Sequence, residues 1–142
     1  MIRDINTEVL WIARQWLGTP YRHQGATRGA GCDCLGLIRG IWRSLYGSEP
    51  EPVPPYTRDW AERGTEERLW RAALRHMQPA QDSMPGQVIL FRMHGSAVAK
   101  HLGLQSDDTH FIHAYSGHGV VESALTPAWQ RRIVARFAFP AK

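Results

Sequence analysis

Gly31-Cys32-Asp33-Cys34-Leu35-Gly36-Leu37-Ile38-Arg39-Gly40-Ile41-Trp42-Arg43-Ser44-Leu45 contains one apolar stripe at helical spacing, formed by Cys34, Leu37, Ile38, Ile41, Trp42 and Leu45. Asp33 is a strong N-cap and Gly47 a natural stop, so the helix opens at Cys34. A cysteine attacks as its thiolate, and the unpaired N–H groups and dipole of a helix N-terminus favour that anion. The alternative for Cys34 is a small core residue, since free cysteine is among the most buried types. Gly36 and Gly40 each weaken the helix by about 1 kcal/mol relative to alanine. Their spacing predicts close approach of another backbone on that face.

Upstream, Ile5, Val9, Ile12, Ala13 and Trp16 predict a helix over 5–17, with Asp4 as N-cap and Gly18 beyond its end. From Gly18-Thr19-Pro20-Tyr21 to Gly31 the chain reads as a loop. Downstream, Pro50, Pro52, Pro54 and Pro55 keep 48–56 extended. A third helix is predicted over 65–77, closed by Pro79 and Pro85. The pattern then becomes short strands: 88–91, 101–105, 109–114, 120–122 and 132–139, the last alternating through Ile133, Ala135, Phe137 and Phe139. Helices followed by an antiparallel meander make one α+β domain over 1–142.

Composition agrees with a globular chain: 142 residues, 43% hydrophobic, 21% charged. The net charge of +4 is scattered, with no basic run longer than Arg131-Arg132, which speaks against a nucleic-acid partner. The six tryptophans suit core bulk or sugar stacking. Cys32 and Cys34, one residue apart, would make a strained disulfide, so both are expected as free thiols. Residues 1–16 mix charged and apolar positions and read as neither a signal peptide nor a transmembrane segment.

Two histidines give Cys34 a partner. A three-residue loop centred on Asp107 places Gln105 opposite Thr109, Gly103 opposite Phe111 and His101 opposite His113. Opposed residues share a sheet face, with Cβ atoms about 4.5–5.5 Å apart. His101 then serves as base to Cys34 while His113 orients it, on the face opposite Leu102, Leu104 and Ile112. A two-residue loop would instead turn His113 to the other face. Taken singly, each histidine reads as a surface or hydrogen-bonded residue. The rival use is zinc, with Cys32, Cys34, His101 and His113 as ligands, but Cys-Asp-Cys is tighter than the usual ligand spacing.

Four ordered blocks now resemble the NlpC-type cell-wall peptidases: Gly18-Thr19-Pro20-Tyr21-Arg22, Asp33-Cys34-Leu35-Gly36-Leu37-Ile38, His101-Leu102-Gly103-Leu104 and Phe111-Ile112-His113-Ala114. Gly31 to Leu37 and His118-Gly119-Val120-Val121-Glu122-Ser123 are most similar to the subgroup encoded by phages and gene-transfer particles. The resemblance implies a papain-like fold, with N-terminal helices packed on a C-terminal antiparallel sheet. It implies a Cys-His-His triad at Cys34, His101 and His113, no metal and no cofactor. It also implies an oxyanion hole at the Cys34 backbone N–H with the Tyr21 hydroxyl nearby, and a stem-peptide site at Asp33 and Tyr21. Asp33 is otherwise simply the N-cap, and Tyr21 a half-buried ring.

Three positions depart from the family pattern: Leu35 stands where serine is common, and His23 and Gln24 replace the usual tryptophan and glycine. These touch the expected cleft and bear on which bond is cut. The expected function is hydrolysis of amide bonds in peptidoglycan stem peptides, by a protein made in the cytoplasm and carried with phage-like tail proteins or released at lysis. The alternatives are a tail-assembly component with little activity, and a thiol acyltransferase on the same scaffold.

Overall fold

A computed structural model describes residues 4–56, 67–93 and 98–142. Helix α1 spans Ile5–Gln15, and the Asp4 carboxylate accepts from Thr7 N–H at 2.8 Å. It closes short of the predicted end because the Trp16 N–H turns back to the Ala13 and Arg14 carbonyls. Helix α2 spans Cys34–Tyr46, opened by Asp33 accepting from Gly36 N–H and ended by Gly47 in the left-handed region at φ 88°. Both caps stand where the sequence places them.

Between these helices, the predicted loop contains a small hairpin, β1 (Ala26–Thr27) with β2 (Gly31–Cys32). Two residues per strand are too few to carry an alternating pattern. Helix α3 (Arg68–His76) occupies the predicted third helix, whose residues 65 and 66 lie outside the described residues. Strands β3 (Gln78–Ala80), β4 (Val88–Arg92), β5 (Ala99–Asp107), β6 (His110–Tyr115) and β7 (Gly119–Ala124) follow, then helix α4 (Pro127–Gln130) and strand β8 (Ile133–Ala138). The main sheet has the order β3-β8-β4-β5-β6-β7. Only β4 to β7 form the expected meander, because β8 returns to pair with the free edge of β4.

Val88, Leu90, Leu102, Leu104, Ile112 and Phe137 face the helices and join Val9, Leu37 and Ile41 in the main core. Ile89, Phe91 and Phe111 form a second cluster, packed by Trp129 of α4. The central strands are therefore buried on both faces, which is why they read as apolar runs. A Cβ on Gly36 would stand 1.7 Å from the Gly25 carbonyl oxygen, the backbone approach that the sequence predicts. At Gly40 the obstacle is different. A Cβ there would meet the Trp16 ring at 2.1 Å, a side chain rather than backbone.

The β5–β6 register differs from the predicted one. The turn is Asp108-Thr109, with Asp107 opposite His110 and the Asp107 carboxylate accepting from Thr109 N–H at 2.8 Å. The pairing then slips past Ser106, so that Gln105 faces Phe111 and Leu104 faces Ile112. Continued along the strands, that register sets Gly103 opposite His113 and Tyr115 opposite His101. The expected direct pairing of the two histidines is thus replaced by a diagonal one. A two-residue turn alone would have put them on opposite faces; the extra residue at Ser106 restores the shared face.

Candidate active site

Cys34 is the first residue of α2 and is half-buried. Its thiol donates to the carbonyl oxygen of Lys100, 3.7 Å away. Lys100 interrupts the β4–β5 ladder, since Phe91 pairs with His101 and Arg92 with Ala99. The sulfur thus lies against β5 at the residue preceding His101. Among the described residues it makes no hydrogen bond to His101 itself.

The electrostatics of the sulfur differ from what its helix position suggests. Burial, then the neighbouring Asp33 carboxylate, push the Cys34 thiol up to about 12. Backbone N–H groups of Leu102, Leu35 and Cys34 pull the other way and are outweighed. The resting thiol is protonated. Cys32 is fully buried in the core, and burial pushes its thiol up to about 12 as well.

His101 and His113 meet on the face shared with Phe91 and Phe111. Their Nε2 and Nδ1 atoms share a hydrogen bond of 2.8 Å, and the rings stand edge to face at 77°. Trp129 covers both, with ring centroids 5.7 Å and 5.3 Å away. Burial, then the His113 and Lys100 charges, hold His101 down at about 3. Burial, then His118, hold His113 at about 4. Both imidazoles are neutral at physiological pH. With Nε2 of His101 engaged by His113, Nδ1 is the ring nitrogen that makes no hydrogen bond among the described residues.

Asp33 is only 3% exposed and its carboxylate is filled from within the chain. Gly36 N–H donates to Oδ1 and Gln24 N–H to Oδ2, each at 2.8 Å, and the Tyr56 hydroxyl also donates to Oδ2. The Tyr56 carbonyl accepts in turn from the Gln24 side-chain amide at 2.6 Å and lies 2.8 Å from His23 Nε2. Tyr21 is half-buried and bridges in parallel to Cys32, two residues before the thiol. Cys34, Asp33 and Tyr21 thereby converge at one end of α2, and the two histidines converge on each other across β5 and β6.

Three residues of this neighbourhood carry no distinct sequence signal as site residues. Ser123 Oγ lies 2.9 Å from His113 Nε2, a contact that depends on the β6–β7 register setting Ser123 opposite Phe111. Tyr56 reaches Asp33 across 23 residues of chain. Trp129 belongs to a four-residue helix too short for periodicity to reveal. Residues 49–56 and α3 wall a cavity of about 360 Å³ against α2, lined also by Leu35, Trp42 and Leu102. Among the described residues, no three His, Cys, Asp or Glu side chains gather as a metal-holding group.

Comparison with known proteins places the fold. The NlpC/P60 family pattern matches residues 18–137. The chain is 28% identical over 130 residues to the murein DD-endopeptidase/murein LD-carboxypeptidase MepS of Escherichia coli K12, covering 91% of this chain and 60% of that protein. It therefore spans about three-fifths of that relative's length. Among solved structures, the NlpC/P60 domain of the peptidoglycan hydrolase SagA superposes with a TM-score of 0.61 at 17% identity, covering 94% of this chain and 98% of that one. RipD of Mycobacterium tuberculosis, described as a non-catalytic NlpC/P60 protein adapted to peptidoglycan binding, gives 0.59 at 16% identity, covering 96% of this chain and 98% of that one. The helices on an antiparallel sheet are thus the papain-like NlpC/P60 fold, and the chain belongs to the NlpC/P60 family.

Proposed function

We propose that this chain is a cysteine hydrolase that cleaves amide bonds in peptidoglycan stem peptides, with Cys34 as nucleophile, His101 as base and His113 as its orienting partner. The observation that carries the reading is the 2.8 Å His101–His113 contact on the strand against which the Cys34 thiol rests. Thiol and imidazole both start neutral, so proton transfer accompanies attack. The sulfur bonds to the amide carbon as His101 Nδ1 takes its proton, and His101 then gives that proton to the departing amine. Water, activated by the same nitrogen, hydrolyses the thioester. The Cys34 backbone N–H is the donor for the oxyanion, with the Tyr21 hydroxyl as its companion. Each such donor contributes about 3–4 kcal/mol to a reaction of this kind.

Asp33 and Tyr21 are the proposed stem-peptide contacts. For the Asp33 carboxylate to meet substrate, the Tyr56 hydroxyl must leave Oδ2, because all its present donors are internal. Delivery with a phage or phage-like tail rests on the resemblance of residues 31–37 and 118–123 to that subgroup. A second reading, a tail component that keeps the fold without turnover, is favoured by the protonated thiol held on the Lys100 carbonyl.

Purified sacculi incubated with the protein and with Cys34→Ala separate the two. New stem-peptide fragments, seen by mass spectrometry only with the intact thiol, support hydrolysis. Identical, fragment-free traces from both would transfer the assignment to the structural role.

A further inference from the structure

We infer that Ser123 is a positioning residue, the acceptor that keeps the proton of His113 on Nε2 and thereby leaves Nδ1 of His101 bare to act as base. The contacts form a chain: His101 Nε2 to His113 Nδ1 at 2.8 Å, then His113 Nε2 to Ser123 Oγ at 2.9 Å. With both rings neutral, one proton is shared at the nitrogen–nitrogen contact, and only two arrangements are open. In the first, His101 Nε2–H donates to His113 Nδ1, and His113 Nε2–H donates to Ser123. The lone pair of His101 then lies on Nδ1. In the second, every proton is displaced by one place: Ser123 O–H donates to His113, His113 Nδ1–H donates to His101, and His101 carries its proton on Nδ1. The second arrangement has no base for the thiol.

The inference rests on the thiol-hydrolase reading in one respect, that the first arrangement is the productive one. The geometry adds its own support. Ser123 is half-buried, and its Oγ stands 2.9 Å from His113 Nε2, close enough to accept the proton of that nitrogen. The first arrangement also survives the reaction, because a protonated His101 still donates through Nε2 and the downstream bonds keep their direction. In the second, the ring must exchange its tautomer before it accepts a proton. Trp129, Phe91 and Phe111 wall the pair, leaving the serine as its hydrogen-bonding terminus among the described residues.

The charged and titratable neighbours are few. His101 is faced by Lys100 and Tyr115, with the Cys34 thiol on the Lys100 carbonyl, and His113 by Tyr115, with His118 stacked behind that ring. None of these is removed by a change at Ser123, so a shift in the pH profile of a Ser123 variant reports on the relay.

The test is nitrogen NMR of imidazole-labelled protein at neutral pH, beside hydrolysis of purified sacculi by wild type, Ser123→Ala and Ser123→Thr. Wild type is expected with the proton on Nε2 of both His101 and His113. Ser123→Ala is expected to allow the Nδ1–H form, to lower kcat by about tenfold with KM unchanged, and to move the acid limb of the rate profile. Ser123→Thr, which keeps the hydroxyl, is expected to restore all three. Wild-type spectra showing His113 protonated on Nδ1, or an Ala variant with unaltered tautomers and kcat, would overturn the inference. The spectra decide it even if wild type releases no fragments, an outcome that counts against the hydrolase reading instead.

Discussion

At the level of single residues, the governing fact is that Cys34 sits where a helix favours a thiolate and yet is protonated. The first-turn amides act through partial charges, whereas burial and the full charge of Asp33 act on the same sulfur and win. An ordinary cysteine exchanges its proton near 8.5, so at about 12 the thiolate fraction at pH 7 is on the order of one in a hundred thousand. Alkylation of Cys34 by iodoacetamide is therefore expected to be slow at pH 7 and to climb steadily to at least pH 9.5. Cys32, with no exposed surface, should stay unlabelled throughout. His101→Ala is expected to slow labelling further, by removing the proposed proton acceptor. A rate that levels off below pH 8 would mean that thiolate and imidazolium already exist as a pair, and the neutral ground state would have to be abandoned.

The elements show where sequence reasoning succeeds and where it stops. Helix α2 was legible because Asp33, the apolar stripe and Gly47 each state the same boundaries independently. The shared face of His101 and His113 was legible only as parity. Parity survives a two-residue slip, while the pairing itself does not, and nothing in the sequence announces a bulge at Ser106. The contacts of Tyr56 and Ser123 were hidden for a related reason, since each depends on where a long connection or a second register delivers one side chain. The bulge also makes a prediction. The Ser106 hydroxyl is buried and has no hydrogen-bond partner among the described residues. Ser106→Ala should raise stability by about 1 kcal/mol in urea unfolding, by removing an unsatisfied group, and should leave hydrolysis intact. Deleting Ser106 should instead abolish hydrolysis, because the strand must lose either its turn or the common face of the histidines. A destabilised Ser106→Ala protein would show that the hydroxyl is bonded after all. Gly36→Ala gives the converse test on α2. Helix propensity alone favours alanine by about 1 kcal/mol, yet the Gly25 carbonyl occupies the space, so a net loss of roughly 1–3 kcal/mol is expected.

For the molecule as a whole, the site imposes a stability cost that depends on pH. His101 and His113 are folded into an aromatic box as neutral rings, at about 3 and about 4, whereas in the unfolded chain a histidine titrates near 6.5. Between those values the unfolded state binds more protons than the folded one, so stability rises with pH through the window and falls on acidification. The contribution is fully present above about 6.5 and drains away as the pH falls, to about 4 for His113 and about 3 for His101. Going from pH 7.5 to 5.5 takes about 1 kcal/mol from each ring, roughly 2–3 kcal/mol together, before the carboxylates matter. Glu49 and Glu51, both held low first by hydrogen bonds from Arg39 and Arg75, clip the proline-rich segment to α2 and α3 and weaken only at lower pH. Urea unfolding at the two pH values should show that drop in wild type, and about half of it in His113→Gln, where one buried base no longer has to be protonated on unfolding. If wild-type stability were flat between pH 7.5 and 5.5, the rings would already be charged in the folded protein. The proton acceptor proposed for Cys34 would then be filled before the reaction began.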